Sequence, residues 1–196
     1  MVCSIDNTTG AVQCQDIETI FHDCFFHSFR VRLSGGHREP LYLPAKQPDS
    51  YAEIRYRDDY IASALHETAH WCIAGEIRRQ QIDFGYWYVP DGRSAQQQRA
   101  FEQVEIKPQA LEWIFSHAVG VQFHISADNL SNEPQQSSLV FSRAVHAQVL
   151  AYLDTGLPAR ARYFAEALSG VGKYSHPFDP ASYKLSSIWH SVNSAQ

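Results

Sequence analysis

Residues 58–79 read DDYIASALHETAHWCIAGEIRR and predict a long helix, from about Asp59 to Arg79. Two acidic residues open the segment and two arginines close it, an arrangement that the helix dipole favours. The helix is expected to be largely buried, because small and apolar residues recur along it: Ala62, Ala64, Leu65, Ala69, Ile73 and Ala74.

The HETAH stretch inside this helix matches the pattern H-E-x-x-H. His66 and His70 are four residues apart, so both imidazoles lie on one helical face and can reach a single metal ion. Glu67 projects in a neighbouring direction, where it can contact a water bound to that ion, and is the candidate catalytic residue. Burying these groups without partners would be costly, so the sequence favours a metal centre over a pair of hydrogen-bonded core histidines.

Two histidines require a further protein ligand, and the continuation H-x-x-G-x-x-H is absent. The next helical stretch, 94–117, offers three carboxylates: Glu102, Glu105 and Glu112. Glu105 is favoured because apolar residues flank it on both sides, and Glu102 is its main competitor. The resulting set of two histidines and one carboxylate suits a zinc peptidase with Glu67 as base, or a ferrous site that activates dioxygen. The spacing of the ligands alone does not decide between the zinc peptidase and the ferrous site.

The other segments predict a single α+β domain, mostly helical with a small sheet, around a zincin-like metal-site helix. Helices are expected at 16–29 (with Asp16 as N-cap), 94–117, 137–153 and 159–168, and strands at VRLSGG, LYLPA, 51–57, IDFGYWYV and VQFHI. Pro108 is expected to kink the helical region 94–117 or to begin a new helix there. Residues 1–15 are interpreted as an N-terminal extension, 16–171 as the catalytic domain and 172–196 as a tail.

The aromatic run DFGYWYVPDGR, residues 83–93, suggests a wall of the substrate pocket. Successive strand residues point to opposite faces, so at least one of its aromatic rings faces away from the core. The candidate substrate-binding residues are Asp83, Tyr86, Tyr88, Asp91 and Arg93; a core strand followed by a turn is the alternative. His146 is interpreted as a hydrogen-bonded core histidine, and His124 and Asp128 are open to either role.

The composition of the chain limits the classes of function that it can have. The 196-residue chain has a net charge of −5, which argues against nucleic acid as the main partner. No apolar run reaches membrane-spanning length and the N-terminus does not resemble a secretory signal, so a cytoplasmic protein without a membrane partner is expected. The four cysteines lack metal-site spacing, and Cys24 and Cys72 are interpreted as small core residues.

Several blocks resemble the elongation factor P hydroxylases of bacteria. The resemblance extends from about residue 16 to 168 and is carried by LYLPA, ASALHETAHWCIAG, DFGYWYVPDGR, FEQVEIKPQALEW, SADNL and VHAQV. It implies hydroxylation of the conserved lysine of translation elongation factor P in its β-lysylated form. It further implies a metalloprotease-like fold with a non-haem metal, Fe²⁺ or another divalent ion such as zinc, and dioxygen as co-substrate. His66 and His70 match the family's histidine pair, and Glu105 matches its carboxylate. No sequence feature points to 2-oxoglutarate.

Overall fold

Helices pack against a small sheet in the computed structural model, which describes residues 11–47, 49–83, 94–126, 134–172 and 176–188, with the backbone alone for residues 95 and 134–138. The helices are α1 (Cys14–Phe29), α2 (Ile61–Ile73), α3 (Ala95–Val119), α4 (Pro134–Thr155) and α5 (Ala159–Ser169). The strands are β1 (Val31–His37), β2 (Leu41–Leu43) and β3 (Ala52–Arg57). This confirms the predicted mostly helical α+β domain. No helix in the described part of the chain combines the length and apolarity needed to span a membrane.

The sheet has the order β1-β3-β2, with β1 parallel and β2 antiparallel to β3. Its apolar residues alternate along β1 and β3, so one face is buried beneath α1. The carboxylate of Glu18 on α1 accepts hydrogen bonds from the Tyr56 hydroxyl (2.9 Å) and the Gly35 amide (3.0 Å). Glycine is required at position 35, because a Cβ atom there would collide with the ring of Tyr56.

Helix α2, which contains the HETAH stretch, lies in the centre of the molecule and packs against α1, α3, α5 and β3. Its inward residues Ala64, Leu65 and Ala69 are completely buried. Trp71 contacts the rings of Phe21 and Phe25 on α1, which fixes α2 against the N-terminal helix. The interpretation of Cys24 and Cys72 as core residues is confirmed, since both are buried free thiols.

Helix α2 is shorter than predicted. It ends at Ile73, Ala74 leaves the helical conformation with ψ 124°, and the arginines of the predicted last turn lie in a separate 3-10 turn, Arg78–Gln80. The reason is a long-range contact. One terminal nitrogen of Arg160, on α5, donates to the carbonyl oxygens of Trp71 (3.1 Å), Cys72 (3.0 Å) and Ala74 (2.6 Å). These carbonyls are the groups that a helix end leaves unpaired.

Two other expectations about helices are corrected. Helix α1 has Gln13 rather than Asp16 as its N-cap; Asp16 lies in the first turn, where its carboxylate accepts from the Gln13 amide at 2.8 Å. Helix α3 is continuous from Ala95 to Val119 and contains Pro108, so no new helix begins there. Pro108 is buried, and the packing of α3 against α2, α4 and α5 stabilises the helix on both sides of it.

The predicted strand VQFHI is wrong: residues 121–126 belong to no helix or strand and have no strand partner among the described residues. At Ser126, the side chain of Gln109 forms the two backbone hydrogen bonds that a neighbouring strand would otherwise form. Its amide nitrogen donates to the Ser126 carbonyl at 2.7 Å, and its oxygen accepts from the Ser126 amide at 3.1 Å. Farther along, Tyr183 packs edge-on against Trp113 of α3, so the segment 176–188 contributes to the core.

Candidate metal centre

The packing of α2 on α3 brings two histidines of one helix to a glutamate of the other. His66 and His70 have their Nε2 atoms 3.0 Å apart. The Glu105 carboxylate lies between them, with Oε2 3.4 Å from His66 Nε2 and Oε1 3.3 Å from His70 Nε2. Glu105 is only 4% exposed, whereas the His66 and His70 side chains are 23% and 20% exposed. The cluster is therefore open on the histidine side and closed on the glutamate side.

A second glutamate of α3 holds the other nitrogen of His66. His66 Nδ1 donates to Glu112 Oε2 at 2.8 Å, and Glu112 is buried. With the proton on Nδ1, the Nε2 atom is left with its lone pair directed to the cluster, which is the tautomer that a metal ligand needs.

The charges around the cluster favour a cation at its centre. Burial by itself lowers the pKa of His66, but the hydrogen bond to Glu112 and the nearby carboxylates raise it overall. Burial raises the pKa of Glu105, but the two histidines lower it below its usual range. Burial also raises the pKa of Glu112. The negative charge of these carboxylates therefore favours a cation beside them.

The donor atoms fit one metal ion. Ligand atoms about 2.0–2.2 Å from a common ion lie at most about 4.4 Å apart. The two Nε2 atoms and the contact of each with one of the two Glu105 oxygens are within that distance. Among the described residues, His66, His70 and Glu105 are the group whose donor atoms all lie within 4.8 Å of one another. Glu105 Oε2 is buried and makes no hydrogen bond to the described residues, as expected of an oxygen meant for an ion.

Comparison with known proteins gives the family. The family profile of the elongation factor P hydroxylases matches residues 20–180. The chain belongs to the elongation factor P hydroxylase family. It is similar to a protein of Haemophilus influenzae named elongation factor P lysine hydroxylase, with 49% identity over 154 residues that cover 79% of this chain and 86% of that relative.

Glu67 lies beside the cluster of His66, His70 and Glu105. It is partly buried, and burial is the main cause that raises the pKa of its carboxyl, although the two histidines oppose the shift. This position fits a side chain that contacts a molecule bound at the open side of the cluster. The catalytic role of Glu67 stays a prediction.

The predicted substrate-binding residues are described only in part. Asp83 forms an ion pair with Arg78 at 2.6 Å, and its backbone pairs with Tyr42 of β2 through hydrogen bonds of 2.7 and 3.1 Å. Tyr86, Tyr88, Asp91 and Arg93 lie outside the described residues, as does Asp128. The nitrogen Nε2 of His146 is 3.1 Å from the Tyr183 carbonyl oxygen, so His146 has a hydrogen-bond partner within the fold. His124 is exposed.

The sequence predicts Glu112 only as a possible metal ligand, and its contact with His66 Nδ1 emerges only in the structure. A signal was available. Glu105 and Glu112 are seven residues apart, about two helical turns, so both face the same partner. Two histidines on that partner present four ring nitrogens, and a second carboxylate on the same face can hold one that the metal does not use.

Proposed function

We propose that this protein hydroxylates a lysine side chain of translation elongation factor P in its β-lysylated form, in the cytoplasm. The observation that carries the proposal is the cluster of His66, His70 and Glu105 in a chain of the elongation factor P hydroxylase family. The relative from Haemophilus influenzae supports the choice of substrate, because its name gives both elongation factor P and the lysine.

The proposed metal is Fe²⁺, held by His66, His70 and Glu105. Two imidazoles and one carboxylate on one side of an ion leave positions for other molecules, and this arrangement is typical of non-haem iron oxygenases. Iron bound there would supply the activation of dioxygen: one oxygen atom would enter a C–H bond of the lysine, and the other would be reduced to water with two electrons from a reductant and two protons.

The chain's own residues arrange the reaction. Glu112 keeps the proton of His66 on Nδ1 and so orients the ring. Glu105 is buried, and the continuous helix α3 fixes the position of its backbone. Glu67, at the open side of the cluster, is suited to hold a cationic group of the substrate side chain in place.

The alternative of a zinc peptidase drew only on the H-E-x-x-H pattern, and the family comparison does not support it. The same pattern of histidines serves both kinds of site, because it fixes two ligands on one helical face and says nothing about the reaction. The family match over residues 20–180 includes both helices of the cluster and favours hydroxylation.

The test combines metal analysis with intact-mass spectrometry. The protein is purified without oxygen, loaded with Fe²⁺, and incubated with β-lysylated elongation factor P, dioxygen and a reductant. We expect the mass of elongation factor P to increase by one oxygen atom, and the increase to require iron. Elongation factor P without the lysyl group and the Zn²⁺-loaded protein are the controls. An unchanged mass with fully iron-loaded protein, or cleavage of elongation factor P, would contradict the proposal.

A further inference from the structure

Helix α3 carries a continuous buried stripe of polar residues. Gln98, Glu102, Glu105, Gln109 and Glu112 are between 1% and 7% exposed. At 3.6 residues per turn, they fall within about 80° of the helix circumference. Buried polar groups need partners, so each of these residues calls for an explanation.

Four of the five are accounted for. Glu105 faces the two histidines, Glu112 holds His66, and Gln109 binds the backbone of Ser126. Gln98 donates to Glu102 Oε1 at 3.1 Å. Glu102 is the exception, because this neutral amide is its only hydrogen-bond or ion-pair partner within the described ranges, although only 7% of the residue is exposed.

A second buried glutamate shows what is missing at Glu102. Glu53 on β3 is 8% exposed, about as buried as Glu102, but it forms ion pairs with Arg32 and Arg55, each at 2.9 Å. A carboxylate removed from water is costly unless a cation is beside it. Glu102 therefore has the burial of a paired carboxylate without a cation from the described part of the protein.

The position of Glu102 relates this missing cation to the candidate metal centre. Glu102 precedes Glu105 by three residues, which is about 4.5 Å along the helix axis, and it lies on the same side of α3. A group bound by Glu102 would thus lie a few covalent bond lengths, along the axis of α3, from a group bound at the metal ligand Glu105.

We propose that Glu102 binds a primary ammonium group of the side chain that is hydroxylated, with Gln98 holding the carboxylate in orientation. This inference rests on the proposed function. A β-lysyl extension places amino groups several bonds beyond the methylenes of the acceptor lysine, so a methylene can lie at the metal while an ammonium group reaches Glu102. The carboxylate then selects the lysylated form of the substrate over the unmodified lysine.

The test measures how strongly the metal-loaded protein prefers lysylated over unmodified elongation factor P. Dissociation constants for both forms are determined by calorimetry without oxygen, for the wild-type protein, Glu102→Gln and the control Glu166→Gln. Glu166 is an exposed glutamate of α5 that pairs with Arg162. Because a hydrogen bond to a charged group contributes more than one between neutral groups, we expect Glu102→Gln to reduce the preference at least about tenfold. The control is expected to keep it.

Metal content and thermal unfolding are measured on the same samples, and Glu102→Gln is expected to retain its metal. Glu102→Asp, which keeps the charge on a shorter side chain, serves as a second variant and is expected to show an intermediate preference. An unchanged preference in a folded Glu102 variant would overturn the proposal, as would an equal loss of affinity for both forms. Binding is measured without turnover, so a wild-type protein that prefers the lysylated form but does not hydroxylate it would refute the proposed function alone.

Discussion

His66 Nδ1 and Glu112 Oε2 are 2.8 Å apart, and this hydrogen bond joins helix α2 to α3 next to the candidate metal centre. A carboxylate at this place fixes both the tautomer and the ring orientation of a histidine, and it increases the basicity of the nitrogen that faces the ion. His66 thus depends on two glutamates of α3, one for each ring nitrogen.

Replacing Glu112 is expected to weaken metal binding without removing a ligand. We predict that Glu112→Ala binds Co²⁺ or Fe²⁺ about 10–100-fold more weakly than the wild-type protein, because the His66 ring loses its fixed orientation. Glu112→Gln should lose less, since its amide oxygen can still accept from Nδ1. Titration against a competing chelator without oxygen measures both. Wild-type affinity in a folded Glu112→Ala protein would argue against an orienting role.

Removing either histidine is expected to abolish stoichiometric metal binding while the fold persists. An open site binds its ion on an otherwise folded scaffold, unlike a zinc finger. His66→Ala should unfold at a lower temperature than His70→Ala, because it also leaves the buried Glu112 without its partner. Metal analysis and circular dichroism provide the readouts. Full metal content in either variant would count against the site.

The choice of carboxylate ligand is tested by comparing Glu105→Ala with Glu102→Ala. We expect Glu105→Ala to lose the metal, since Glu105 lies within 3.4 Å of both histidines. Glu102→Ala is expected to keep it, because the described contact of Glu102 is with Gln98. Titration of metal into the two proteins side by side separates the alternatives, and the reverse order of affinities would reassign the ligand.

Glu67→Gln should leave the metal bound and reduce hydroxylation less severely than loss of a ligand. Our reason is that Glu67 is proposed to place the substrate, whereas a peptidase would need it as the base for a metal-bound water. Turnover of lysylated elongation factor P and its dissociation constant are measured together. Complete loss of hydroxylation with normal substrate affinity would instead indicate an obligatory proton transfer by Glu67.

Arg160→Ala is expected to destabilise the protein by about 2 kcal/mol or more, because three carbonyl groups at the end of α2 lose a charged donor. The guanidinium also lies 4.9 Å from the centre of the Trp71 ring, a contact that the variant loses. The matched control is Arg162→Ala on the same helix, which removes an exposed ion pair with Glu166 and should change stability by less than about 0.5 kcal/mol. Urea unfolding gives both values, and equal stabilities would disprove this role of Arg160.

Local patterns predicted much of the fold. The four-residue spacing of His66 and His70 places both rings on one face in any α-helix, so the histidine pair could be recognised from the sequence. The apolar residues of α1 and the alternation along β3 are equally local signals, and both elements are found where they were predicted, within a few residues.

Contacts between distant residues decided what local patterns could not. Helix α2 ends at Ile73 because Arg160, 86 residues beyond Ala74, binds its last carbonyls. After residues 121–125, which form no strand, the side chain of Gln109, 17 residues before Ser126, binds both backbone groups of Ser126. The sequence of each segment contains no sign of these partners.

The sequence by itself determined that His66 and His70 share a face and that Glu102 and Glu105, which both precede Pro108, belong to one side of the following helix. That Glu112 lies on the same side follows from the continuity of α3 through Pro108, which the structure shows. Helical periodicity fixes such faces, because each residue rotates by the same angle about the axis. Only the tertiary structure decided which glutamate meets which nitrogen, since that depends on how far α3 is shifted along α2 where the two helices pack. A shift by one turn would exchange the neighbours of Glu102, Glu105 and Glu112, and the packed core of the two helices prevents it.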